Sequence, residues 1–139
     1  MKNKFMKNLW CRVVILLLPF GAVALIPPLS NKELLRQSDI IVEGVVSRID
    51  KVGTVFHDHC YGWQKHLAVI LVERVVKGAQ NLTSIGVEYD TRVINDKGCV
   101  GGRDSYTLMK GHRYLMYLKK IPGRSNRYHF FNWAGLKRK

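Results

Sequence analysis

Ile40-Ile41-Val42-Glu43-Gly44-Val45-Val46-Ser47-Arg48-Ile49 is the stretch on which the fold turns. β-Branched residues fill it. Ile40, Val42, Gly44 and Val46 fall on one face of an extended chain, and Glu43, Val45 and Ser47 on the other. A glycine in mid-strand marks the tight bend or bulge that a small closed sheet needs. Just upstream, Ser30-Asn31-Lys32-Glu33 has the spacing of a capping box ahead of Leu34-Leu35. It predicts a short helix over 31–37, lying against one end of the β structure through Leu34 and Leu35.

Downstream, Asp50-Lys51-Val52-Gly53 closes the first strand, and residues 54–65 read as irregular. Apolar runs or alternation predict further strands over 66–76, 85–93, 113–118 and 127–133. Lys77-Gly78, the Gly-rich segment 95–102, Lys110-Gly111 and Pro122-Gly123 separate them, and a basic tail follows. The expectation is a mainly β fold of five strands with one short N-terminal helix. At 139 residues and 47% hydrophobic, the chain has apolar material for one core, which excludes a disordered or multi-domain protein.

Residues 1–24 read as a signal peptide rather than part of that fold. Lys2, Lys4, Lys7 and Arg12 precede the apolar run from Val13 to Gly21, and Ala22-Val23-Ala24 is a small-x-small cleavage site. The alternative is an uncleaved anchor, but the run is interrupted by Pro19 and falls short of the roughly 20 residues needed to span a bilayer. The expected product is an exported single domain, residues 25–139, in the periplasm or the medium. Cys60 and Cys99 remain in it, and an even cysteine count in an oxidising compartment favours one disulfide over two free thiols.

Four segments in order carry a family resemblance: Ser38-Asp39-Ile40-Ile41-Val42-Glu43-Gly44-Val45-Val46, Val72-Glu73-Arg74-Val75-Val76-Lys77-Gly78, Cys99 in its Gly-rich turn, and Lys110-Gly111-His112-Arg113-Tyr114-Leu115-Met116-Tyr117-Leu118. Together they resemble the netrin-like module, the OB-type barrel of the tissue inhibitors of metalloproteinases and related exported bacterial proteins. The resemblance implies a five-stranded OB-like β-barrel and a binding role, with protease inhibition among its possibilities. The inhibitors' zinc-chelating N-terminal cysteine has no counterpart near Leu25.

Three candidate sites compete. His57, His59 and His66, beside Asp58 and Cys60, are donor types suited to Zn or Cu; solvated loop histidines beside a disulfide are the alternative. Tyr61 and Trp63 are candidate partner-binding anchors on a rim loop, if they do not instead pack the end of the fold. Arg113, Lys119, Lys120, Arg124, Arg127, Lys137, Arg138 and Lys139 interleave with aromatics and form a candidate polyanion-binding set, unless the rings are core and the cations merely solubilising. No nucleophile, phosphate-loop or metalloprotease motif appears, so the chain reads as a non-enzyme.

The charge of +13 divides unevenly: +4 in residues 1–24, zero in 25–102 and +9 in 103–139. With export, this argues against nucleic acid. The leading reading is an exported non-catalytic module that binds a protein through rim loops. The alternative is an electrostatic binder of an anionic envelope polymer or lipid surface through the basic C-terminal third, and Zn or Cu binding is the third.

Overall fold

A capping box starts the first element, as the spacing predicts. In the computed structural model, which describes residues 28–58, 60–95 and 106–139, Ser30 Oγ accepts from Glu33 N at 3.3 Å while Glu33 Oε2 accepts from Ser30 N at 3.0 Å. Helix α1 (Asn31–Gln37) follows and ends at Ser38. Leu34 is fully buried, whereas Leu35 is 51% exposed, so the helix packs through one leucine rather than the expected two. Lys77 closes the other end, its ammonium donating to the carbonyls of Leu35 and Ser38, which a helix C-terminus leaves without partners.

Six strands follow: β1 (Ile40–His57), β2 (Tyr61–Lys77), β3 (Ser84–Asn95), β4 (Arg113–Lys120), β5 (Arg127–Phe130) and β6 (Leu136–Arg138), with a 3-10 turn at Trp133–Gly135. Their order in the sheet is β1-β2-β3-β5-β4-β6, and β1 also pairs with β4. Five strands therefore form a ring, with β3 and β5 parallel and the other pairs antiparallel. The ring encloses Val42, Val46, Ala68, Ile70, Val87, Met116 and Leu118, all without solvent exposure.

Three boundaries differ from expectation, the smallest being β5, which stops at Phe130 rather than running to residue 133. The stretch expected to be irregular is mostly paired, because β1 and β2 run on to His57↔Gly62 as a long hairpin arm. Val55, Phe56 and Trp63 suit an extended chain, and only the turn near Asp58 interrupts them. The basic tail is also not a tail: β6 pairs along β4 from Tyr114↔Arg138 to Met116↔Leu136. The expected signal peptide, His59 and Cys99 lie outside the described residues.

Gly44 behaves as its position in the sequence suggests. The β1–β2 register slips between Glu43 and Gly44, and Gly44 faces Val72 on one side and Tyr114 on the other. A Cβ there would sit 2.6 Å from Ile70 Cγ2 and closer still to the Leu71 carbonyl oxygen. Because one obstacle is backbone, no rotamer change relieves it. Gly44→Val is expected to lower the unfolding free energy by about 3 kcal/mol, read as a reduced urea midpoint; an unchanged midpoint would show that the strands can separate there at no cost.

Candidate functional site

The arm end gathers most of the residues singled out for metal or partner binding, and the structure uses them differently. Asp58 organises the turn. Its Oδ1 accepts from the backbone N–H groups of Cys60 (2.9 Å) and Tyr61 (2.7 Å), and its Oδ2 accepts from the Trp63 indole N–H at 2.6 Å. Tyr61 and Trp63 meet edge to face at 5.8 Å, and the Arg92 guanidinium lies 4.0 Å from the Tyr61 ring centroid and 5.6 Å from that of Trp63. Tyr61 is 3% exposed and Trp63 fully buried. They are not the exposed anchors expected of them; both rings are already packed, with each other and Arg92 among their neighbours.

Of the three histidines, the two described ones, His57 and His66, stand apart. His57 pairs with Gly62 across the hairpin, whereas His66 pairs with Lys51. Four residues of strand separate Gly62 from His66, roughly 13 Å. No group of three metal-ligating side chains converges among the described residues. The His66 ring instead stacks on Tyr89 at 5.3 Å, and its Nε2 shares a 2.8 Å hydrogen bond with the Thr91 hydroxyl. Its Nδ1 is buried and unpartnered. Burial lowers its pKa, Lys51 lowers it further, and Asp90 opposes them. Burial likewise pushes the Tyr89 hydroxyl up to about 12.

The basic C-terminal set splits by chemistry. Three of its arginines, Arg113, Arg124 and Arg127, reach back to carboxylates of the neutral body. Arg113 grips Glu73 with two nitrogens, at 2.6 and 2.9 Å, and Arg124 meets Glu88 at 2.6 Å with Arg127 further off at 3.8 Å. Lys139 shares Glu43 with Arg74. Arg74 and then Lys139 hold the Glu43 carboxyl down at about 2.

Two lysines are placed otherwise. Lys119 Nζ lies over the Phe131 ring and Lys137 Nζ over the Tyr117 ring, each 5.3 Å from the centroid. Tyr117 and Lys119 are two apart on β4, and Lys137 pairs with Leu115 on the same side of the sheet. Leu115, Tyr117 and Lys119 alternate with the buried Tyr114, Met116 and Leu118, so they form the outward face of β4. Neither ammonium is ion-paired among the described residues. Lys120 and Arg138 are exposed but fall on the other pleat, the one shared with Tyr114 and Leu118. The sequence interleaving of cations and aromatics hinted at this pairing, but not at which lysine meets which ring.

A cleft of about 270 Å³ opens where β3 and β5 part, lined by Glu88, Asp90, Tyr106, His129 and Phe131 among others. Tyr106 stacks on Phe130 at 4.5 Å, and His129 Nδ1 bonds the Phe130 carbonyl at 2.9 Å. Glu88 is already engaged by Arg124, so the cleft offers mixed rather than acidic chemistry. No family model and no curated protein matches the chain.

Two outcomes test this geometry. Asp58→Ala leaves the Trp63 N–H without its carboxylate, at a cost of about 1–3 kcal/mol, and is expected to lower the urea midpoint and shift Trp63 emission to the red. His66 gives a pH dependence. Above about pH 6.5 the ring is neutral whether the chain is folded or not. Below it the unfolded chain takes up a proton that the buried ring resists, so stability declines as pH falls through 6.5 and levels off below the folded pKa. The fall in urea midpoint from about pH 7.5 to about 5.5 is expected to shrink in His66→Gln; an identical fall would remove His66 from the account.

Proposed function

We propose that the chain is a non-catalytic module that binds anionic polymers or surfaces through the outward face of β4 and β6. The observation that carries this reading is the placement of Lys119 over Phe131 and Lys137 over Tyr117 on one face. A ring orients an ammonium without cancelling its charge, so the field outside the face stays positive. Arg113, Arg124, Arg127 and Lys139 of the original set neutralise Glu73, Glu88 and Glu43 and contribute less.

The same reading takes the ring as an OB-like barrel of the netrin-like kind. The strand order and the parallel β3–β5 pair support it. It also takes residues 1–24 as an export signal and Cys60–Cys99 as a disulfide. For the disulfide, Tyr61 pairs with Asn95, which brings Cys60 beside the end of β3, four residues before Cys99 in the sequence. A second reading, a protein partner bound at the rim, draws on Val52, Val55 and Phe56, which are exposed on the hairpin arm.

On immobilised heparin, Lys119→Gln with Lys137→Gln is expected to elute at clearly lower salt than the unsubstituted chain. Lys51→Gln with Lys110→Gln removes the same charge elsewhere and is expected to elute close to the unsubstituted chain. Equal elution of the two double variants would show that net charge alone, not this face, governs retention.

A further inference from the structure

Resting on the polyanion reading above, we propose that the β4–β6 face docks on an anionic lipid bilayer, with Trp133 entering the interface and Lys119 and Lys137 meeting lipid phosphates. The case begins with the apolar side chains. Trp133 is 46% exposed on the 3-10 turn after β5. Gly135 of that turn lies against β4, since a Cβ on it would sit 3.4 Å from Tyr117 Cβ. The turn is therefore on the side of β4 that presents Tyr117. Phe131, two residues before Trp133, lies under Lys119.

Helix α1 extends the same surface. Lys137 Nζ donates to Asn31 Oδ1, which brings the start of α1 to this face. Leu35, one turn on and on the same side of the helix as Asn31, is one of the most exposed leucines of the described chain. Indole and leucine side chains beside ring-seated ammonium groups form the pattern of an interfacial anchor: cations at the headgroup level, aromatic and aliphatic groups just below. A hydrated polymer neutralises the cations but gives Trp133 and Leu35 nothing apolar to bury against. A bilayer does both.

The start of α1 at Asn31 lies on this face with Lys137.

The test uses the full chain carrying Trp10→Phe, leaving Trp63 and Trp133 as the tryptophans. Vesicles of brominated phosphatidylcholine with about 30 mol% phosphatidylglycerol report contact by quenching. Emission from Trp133 is expected to fall about twofold, and Trp133→Phe to remove the quenched component, since Trp63 is buried. Vesicles without phosphatidylglycerol should leave Trp133 unquenched even if the N-terminal segment binds them. Lys119→Gln with Lys137→Gln should abolish quenching on the anionic vesicles. Retention on heparin through this face without Trp133 quenching would overturn lipid docking and leave the polyanion reading standing. Loss of face-specific retention on heparin together with absent quenching would overturn both. Quenching that survives the double lysine substitution would overturn the role given to the cations.

Discussion

The close approach of β1 and β2 at Gly44 is the constraint on which the rest of the architecture depends. β1 is hydrogen-bonded on both edges, to β2 and to β4, so it must bend while paired on each side. The bend falls where the chain has no side chain, and Ile70 and the Leu71 carbonyl occupy the space a Cβ would take. With β1 so placed, Val42 and Val46 meet Ile70 and Met116 inside the ring. The same pairing fixes the pleat of β4, sending Met116 and Leu118 inward and Leu115, Tyr117 and Lys119 outward. The face read as functional is thus the reverse side of the core, set by the register that seals it.

The charge asymmetry of the sequence acquires a spatial meaning once the ring closes. Residues 25–102 are balanced and residues 103–139 strongly basic, yet folding mixes the two. Arg113 joins β4 to Glu73 of β2, Arg124 joins the β4–β5 loop to Glu88 of β3, and Lys139 joins the chain end to Glu43 of β1. These pairs are exposed and individually add little to stability. Their larger consequence is distribution. These cations, most of them guanidinium groups with planar forks that suit carboxylates, remove negative charge from three places on the ring, while Lys119 of β4 and Lys137 of β6 remain with aromatic neighbours.

Much of this fold was legible in local sequence. The capping box is a four-residue signal, and Gly44 is conspicuous in a β-branched run. The arm was harder to read. His57-Asp58-His59-Cys60 has the composition of a loop or a metal site, and nothing local announces that Asp58 will hold two backbone N–H groups and an indole. Trp63 looked available because its covering group, Arg92, is far off in sequence and arrives only when β3 pairs with β2. β6 was invisible for a similar reason: Leu136-Lys137-Arg138 has no alternation to detect and becomes a strand only because β4 presents it an edge. The basic set was legible as composition, but the separation of carboxylate-paired Arg113, Arg124, Arg127 and Lys139 from ring-seated Lys119 and Lys137 rests on contacts between distant strands.

That division separates two kinds of electrostatics on one small domain. At Glu88 the cations of the β4–β5 loop and β5 meet a carboxylate, and the local field largely cancels. At Tyr117 and Phe131 the cations meet the negative faces of quadrupoles, which attract at short range and fall away quickly with distance. An approaching anion therefore sees nearly the full charge of Lys119 and Lys137 but little from Arg124. The ammonium groups are also held over their rings beforehand, so binding has less side-chain freedom to remove. Their formal charges equal those of the arginines, so it is the choice of neighbour, ring or carboxylate, that makes one side of the ring a surface for anions and the other a set of internal ties.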